Sequence, residues 1–260
     1  MIRETSSTIP ASPRIRRVDV DRPWAWMAAG WRDFLAAPGV SLAYGAAFSF
    51  AGFLLTWGLH AADKLPLILP LAAGFMLIGP VAAVGLYDVS RRLERGETVT
   101  LASALRVLPA HIGRVSAMAL LLMLVLLAWV RIALLIFAIF FGDSSVRLES
   151  FVETVFFAPA SLPFVVTGTA IGAVLATIVF TISVVALPML LDRDVGVPAA
   201  IANSFAAVDR NRPAMALWAA LIVIFTAAGL ATLYVGLVVC LPLIGYASWH
   251  AYRDVIDGGD

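Results

Sequence analysis

The chain reads as an all-α membrane protein of six transmembrane helices arranged as three hairpins. Three observations predict this class. Apolar residues make up 62% of the 260 residues and charged residues 13%, with a mean hydropathy of +0.95, whereas soluble domains carry about 25% charge. The apolar residues also come in blocks: Ser41–Ala62, Leu65–Tyr87, Val115–Gly142, Pro163–Leu191 and Ala214–Trp249. Each exceeds the roughly 18 residues that mark a candidate span. Finally, one pattern recurs over 23–92, 100–193 and 198–253. A short amphipathic helix leads into two long apolar segments, and the second of these ends in proline, then in charge.

Taken in order, residues 1–20 read as a disordered tail on the aqueous side. Arg3, Arg14, Arg16 and Arg17 lie there among Ser, Thr and Pro. No apolar run of about 7–15 residues follows the first charges, so the stretch lacks the form of a cleavable signal. Residues 21–255 form one polytopic domain with spans at about 41–62, 65–87, 115–142, 163–191, 214–234 and 236–252, and 256–260 is a short tail.

Each copy opens with an interfacial helix. In the first, Asp21 stands at an N-cap and Pro23 at the first helical position. Trp24, Met27, Ala28, Trp31 and Phe34 then share one apolar face. In the second, Thr100 is the cap, and Leu101, Ala104, Leu105 and Leu108 make the stripe. In the third, Pro198 opens a helix with Val197, Ile201, Phe205 and Val208 aligned. Pro38, Pro109 and Pro213 stop these helices just before a span. Helices of this kind lie in the interface plane, where Trp24, Trp26 and Trp31 suit the headgroup region.

The last block is the hardest to divide. Ala214–Trp249 holds 36 residues, about 54 Å of helix, too long for one crossing of a roughly 30 Å core. A close hairpin turning near Tyr234–Gly236 fits the other copies. A single long tilted helix is the competing reading.

Charge orients the six spans. Fifteen of the eighteen basic residues fall on one side, with Lys64 and Arg147 opposite and Arg131 inside an apolar block. Basic residues in short loops stay cytoplasmic, so both termini are expected there. The even-numbered spans carry a further mark. Pro80, Pro188 and Pro242 sit in the same half of their spans, and Arg91, Arg193 and Arg253 follow. Proline deletes a backbone hydrogen bond and kinks the helix, which membrane helices tolerate when neighbours satisfy the freed carbonyl. Residues 79–91 and 241–253 each place an aromatic (Tyr87, Trp249) seven residues after proline and arginine eleven after, so a threefold internal repeat is a candidate.

The segments at 22–33 (RPWAWMAAGWRD), 41–45 (SLAYG), 85–97 (GLYDVSRRLERGE), 187–195 (LPMLLDRDV), 215–219 (MALWA) and 249–253 (WHAYR) resemble the bacterial integral membrane proteins of the domain of unknown function 2189 family. The resemblance runs over about 14–255, and its charged joins are its most specific parts. It implies a bacterial inner-membrane protein and carries no catalytic residues with it.

Candidate chemistry is sparse. Arg131 is an ionisable residue within an apolar block, a functional candidate by default, although it is near enough to a span end to snorkel and pair with Glu149 or Glu153. Glu149 and Glu153 share an outer loop, 143–162, with Phe151, Phe156 and Phe157, and read as a solvated amphipathic loop helix. Asp88 with Arg91, and Asp192 with Arg193, join spans to loops, where ion pairs anchor helix ends; a gate made of such pairs is the sharper alternative. His60, His111 and His250 lack ligand spacing for haem or zinc, and Cys240 reads as a packing residue. Gly168-x-x-x-Gly172 is a helix-contact signature. No phosphate loop, nucleophile elbow or Cys-x-x-Cys is present.

No cofactor or metal is expected, and the expected partners are the lipid bilayer and another membrane protein or a second copy, not nucleic acid. The leading expectation is a non-enzymatic inner-membrane protein that organises, assembles or regulates membrane components. A small-solute transporter or channel is the alternative, since proline-broken spans are a transporter device and Thr167, Thr169, Thr177, Thr181 and Ser183 line a span otherwise without charge.

Overall fold

The computed structural model describes residues 14–64, 67–110, 112–141 and 161–257. Within them the chain forms eleven helices: α1 (Arg22–Ala36), α2 (Pro38–Ala61), α3 (Ile68–Ala82), α4 (Val84–Glu94), α5 (Leu101–Ala110), α6 (Ile112–Phe141), α7 (Ser161–Ser183), α8 (Ala186–Asp192), α9 (Val197–Arg210), α10 (Arg212–Ala231) and α11 (Leu237–Val255). Five stretches are long and apolar enough to cross a bilayer: Pro38–Ala61, Pro70–Glu94, Gly113–Phe141, Ser161–Asp192 and Arg212–Ala231. Large apolar side chains stand in the open along them, such as Phe50, Phe53 and Trp57 on α2 and Leu120, Leu124 and Ile139 on α6. Water does not tolerate apolar surface of that extent, and hydrocarbon does.

Short helices precede three of these stretches, α1 before α2, α5 before α6 and α9 before α10. Thr100 and Ser103 cap α5 reciprocally: the Ser103 amide donates to Thr100 Oγ1 at 3.1 Å, and the Thr100 amide to Ser103 Oγ at 3.0 Å. Asp21 sits at the N-cap of α1 without a side-chain bond there. The stripes on these helices differ from the sequence expectation. In α1, Trp26, Met27, Ala29, Gly30 and Phe34 are buried, whereas Trp24 and Trp31 face outward. In α9 the small residues Ala200, Ser204 and Ala207 face inward and Phe205 is exposed. Both helices therefore show one face to protein and a second apolar face to the surroundings.

Residues 214–249 do not form one long helix: α10 ends at Ala231 and α11 begins at Leu237. Leu233 and Tyr234 take positive φ in the turn between them. Two links to α2 and one within the turn hold this conformation. Ser49 Oγ donates to the Tyr234 carbonyl at 2.8 Å, Thr56 Oγ1 and Tyr234 Oη lie 2.6 Å apart, and the Gly236 amide donates to Thr232 Oγ1 at 2.8 Å.

The core runs along α11, which packs against α1, α2, α4 and α10. A second group, α3, α6 and α7, packs together beside it, with Trp129 of α6 donating to the Pro70 carbonyl at 2.8 Å. α11 is the most polar of the long helices because its polar residues point inward. Tyr246, Trp249 and Tyr252 are fully buried, and Ser248 is nearly so. Gly30 brings α1 onto it: a Cβ there would stand 2.8 Å from the Ala247 amide nitrogen.

Candidate functional site

Of the three prolines singled out in the sequence, Pro80, Pro188 and Pro242, two adjoin a break. Pro80 lies in the last turn of α3, which stops before Ala83. Pro188 follows the interruption at Val184–Val185, where its ring displaces the Val184 carbonyl and offers it no N–H. Pro242 lies inside α11, which continues unbroken. Hydroxyls from neighbouring helices meet the groups set free at the two breaks. Tyr44 Oη donates to the Ala82 carbonyl at 2.6 Å. Ser204 Oγ donates to the Thr181 carbonyl at 2.7 Å and accepts the Val185 N–H at 3.2 Å.

Beyond the prolines, α4, α8 and α11 pack against one another, and Val84–Ser90, Ala186–Leu191 and Gly245–Trp249 are buried throughout. Their charged ends join in a circle. From α4, Arg91 Nη1 donates to the Leu191 carbonyl of α8 at 2.8 Å. From the end of α8, Arg193 Nε donates to Tyr252 Oη at 3.2 Å and Nη2 to the Asp257 carbonyl at 2.6 Å, both on the α11 side. From α11, Arg253 Nε donates to Glu94 Oε1 of α4 at 3.1 Å, and its Nη1 lies 3.7 Å from Asp192 Oδ2. Each arginine after a proline reaches the next helix, α4 to α8 to α11 and back to α4.

Asp88 anchors the circle. Its side chain is 0% exposed and is held by Arg91 and Arg92 at 2.5 and 2.7 Å. A carboxylate taken out of water is tolerable only when paired and hydrogen-bonded, and both arginines supply that. A belt surrounds the circle. Asp33 Oδ2 accepts Ser90 Oγ at 2.6 Å and lies 2.8 Å from His250 Nε2, tying α1 to α4 and α11. Trp249 Nε1 donates to Glu94 Oε2 at 3.1 Å. Asp254 Oδ2 accepts Arg22 Nε at 2.7 Å and Trp26 Nε1 at 2.8 Å. Burial pushes the Asp254 carboxyl up, but the hydrogen bonds from Arg22 and Trp26 and the charges of Arg22 and Arg16 outweigh it and hold the group below the usual carboxylate range.

Residues 14–20, expected as part of a disordered tail, are built into this end, and residues 1–13 lie outside the described residues. Ile15 bridges Ile256 in antiparallel fashion, the Arg16 amide donates to the Val255 carbonyl and the Asp257 amide to the Arg14 carbonyl. Asn211, 2% exposed at the α9–α10 turn, accepts the Val18 N–H at 2.8 Å and donates to the Arg16 carbonyl at 3.0 Å. The tail is fixed because its backbone finds hydrogen-bond partners on α11 and Asn211.

Of the residues singled out in the sequence, Asp88, Arg91, Asp192, Arg193 and Arg253 come together in the circle. Arg131 does not join them; it is exposed on α6. Glu149 and Glu153, its expected partners, lie outside the described residues, as does nearly all of the loop that holds them. Glu94, Tyr252, Asp33 and Asn211 belong to this end without having stood out in the sequence. A signal for Tyr252 and its neighbours was present: polar residues clustered in an otherwise apolar helix mark the face that turns inward. Among the described residues no set of three His, Cys, Asp or Glu gathers as a metal site.

Above the circle, toward the middle of the spans, lies a cavity of about 520 Å³. It separates the α3–α7 wall from the α10–α11 wall and is lined mainly by apolar side chains, among them Phe75, Pro80, Phe180, Ala219 and Leu241. The hydroxyls on its α7 wall are engaged within the helix: Thr177 donates to the Ala173 carbonyl, Thr181 to that of Thr177, and Ser183 to that of Val179. Gly172 seats the ring of Trp129 from α6, which a Cβ there would meet at 3.2 Å, whereas a Cβ at Gly168 would meet no other element within 4 Å among the described residues.

Apolar helices with lipid-facing surfaces and a charged, interlocked end define an integral membrane protein with several candidate spans. Residues 68–192 match the family model described as predicted integral membrane protein, DUF2189. This is the family that the charged joins at 85–97 and 187–195 resemble. No curated protein and no solved structure matches the chain.

Proposed function

We propose that this chain is a non-enzymatic, six-crossing bacterial inner-membrane protein that organises or regulates other membrane components from its arginine-rich side. One contact carries the topology: Ile15 is bridged to Ile256. Residues on either side of all the spans can meet only if the crossings between them are even in number. With five apolar spans, α11 then supplies the sixth, shielded from lipid by α1, α2, α4 and α10. The repeated pairing of an interfacial helix with two spans fits a threefold repeat, and the head-to-tail circle of α4, α8 and α11 supports it. By the positive-inside rule the circle faces the cytoplasm.

The organising role rests on the second apolar faces of the interfacial helices, where Trp24 is 56%, Trp31 44% and Phe205 59% exposed beside an end held rigid by ion pairs. Side chains of this kind form the centres of protein interfaces. Affinity purification in several mild detergents tests it: a stoichiometric membrane partner is expected, lost from the Trp31→Ser, Phe205→Ser variant while the fold persists. Recovery of the lone chain in every detergent defeats the role. A transporter is the second reading, favoured by the cavity. The self-bonded hydroxyls in its wall and the position of Arg131 away from it weigh on the other side. Solute flux by the pure protein in vesicles, abolished in an Arg131→Ala variant, would reverse this preference.

For topology, a Cys240→Ser background carrying Asp63→Cys is expected to react with an impermeant maleimide in intact cells. Thr98→Cys is expected to react only after lysis. The opposite pattern overturns the orientation, and reaction of both in intact cells overturns the crossing count.

A further inference from the structure

We infer that the cavity between the α3–α7 and α10–α11 walls is a binding site for one acyl chain of an anionic phospholipid, whose phosphate rests at Arg212. Such a site rests on the six-crossing placement in the bilayer proposed above, and not on the organising role.

The cavity exists because α7 and α10 do not close on each other. α9 bridges them at the arginine-rich end, packing on α7 and α10, and above it the walls stand apart. The volume of about 520 Å³ lies within the roughly 300–1,000 Å³ of small-molecule sites. On α10 the lining runs from Arg212 to Thr226, about 21 Å of helix. That depth exceeds one half of a roughly 30 Å hydrocarbon core, so a chain entering from the arginine-rich leaflet fits within it.

The chemistry of the wall selects hydrocarbon. Thr177, Thr181 and Ser183 spend their hydroxyl hydrogens on their own helix, and Ser248 donates to the Ile244 carbonyl at 2.7 Å. A polar solute would find few free donors there and would lose its hydration without replacement. An acyl chain needs none. The small side chains Ala176 and Ala219 on opposing walls leave the width.

The chemistry of the mouth selects an anion. Asp209, Arg210 and Arg212 follow one another around Asn211, leaving one net positive charge. The Arg212 side chain is 76% exposed while bonded to Asp209, so its remaining donors are open to a phosphate oxygen. Basic groups between helices at the cytoplasmic face bind lipid headgroups in this manner. A transmembrane helix of a partner or of a second copy fits less well, because a helix must continue past α9 to reach water, whereas a lipid ends at Arg212.

Native mass spectrometry of the full chain, extracted from nanodiscs of equal phosphatidylglycerol and phosphatidylcholine, tests the site. One phosphatidylglycerol retained per chain is expected, preferred by about fivefold. Ala176→Phe and Ala219→Phe, on opposite walls, are each expected to abolish retention in protein that stays monodisperse. Arg212→Gln, at the surface, is expected to keep a lipid but lose the preference. Retention unchanged in a folded wall variant overturns the site, and equal retention of both lipids by the wild type overturns the role of Arg212. A second chain held in place of lipid, and released by the wall variants, makes the cavity a protein interface and also overturns the lipid site. Loss of lipid in wall variants that still hold the partner expected above supports the site independently of the organising role.

Discussion

The carbonyl of Val238, which Pro242 leaves without its helical donor, lies against Gly45 of α2. A Cβ at Gly45 would overlap that oxygen and crowd the Val238 backbone. The proline in α11 and the glycine in α2 are thus two halves of one fit. Gly45→Val is expected to push α2 off α11 and destabilise the fold by about 1–3 kcal/mol, read as a lower midpoint of thermal unfolding in detergent. Gly39→Val, where a Cβ would meet no other element within 4 Å among the described residues, is the control and should leave the midpoint nearly unchanged.

Asp88 is the most consequential charge. Asp88→Ala leaves Arg91 and Arg92 without their shared carboxylate; because both side chains reach solvent and keep Leu191 and Glu97 as acceptors, the cost is expected below the upper end of a fully buried pair, at about 2–3 kcal/mol. Thermal unfolding and the yield of monodisperse protein measure this. A variant as stable as the wild type would show that the arginines find other acceptors.

Asn211 joins the α9–α10 turn to the N-terminal segment. Asn211→Ala removes the acceptor of the Val18 amide and the donor to the Arg16 carbonyl, at a cost of about 1–3 kcal/mol. Hydrogen exchange is expected to rise in residues 14–20 while that in α11 stays slow. Uniform acceleration would contradict a local role.

The Asp254 pairing predicts a pH dependence. Its carboxyl is held below its ordinary value of 3.8, so the unfolded chain binds the proton more readily than the folded one. Stability from the pairing is therefore present above the unfolded value and is lost as pH falls through the folded value. The gap in unfolding midpoint between wild type and Asp254→Asn is expected to hold from neutral pH to about 5 and to narrow below about pH 4. A gap that widens in acid reverses the sign and rejects the account.

Much of the architecture was legible in the sequence because hydropathy and proline act locally. The helices begin and end near the charges and breakers, and the turn at 232–236 falls on Tyr234 and Gly236, where a close hairpin was expected. Faces were harder to read. On α1, Trp24 and Trp31 follow the helical period as well as Trp26 and Phe34 do, and only packing against α11 decides which pair is enclosed. On α9, serine and alanine turn inward because a break in a neighbouring helix needs the Ser204 hydroxyl, a demand that no local pattern announces. The circle was half visible: its arginines stood out after their prolines, but their acceptors are backbone carbonyls and acids remote in the chain. Arg253 and Glu94 are 159 residues apart, and spacing rules do not reach that far.

The circle of arginines also constrains the order in which the protein is made. Chains enter the membrane from the N-terminal side onward, and α11 follows the five apolar spans. Until it arrives, Glu94 and Asp192 lack Arg253, Arg193 lacks Tyr252, and α1 and α4 lack a neighbour against which both pack. α11 is also the least apolar of the long helices, and on the six-crossing reading proposed above it enters a slot prepared by its predecessors. The last helix to be synthesised is therefore the one that closes the circle, and a chain interrupted before it would leave Glu94 without Arg253 and Arg193 without Tyr252.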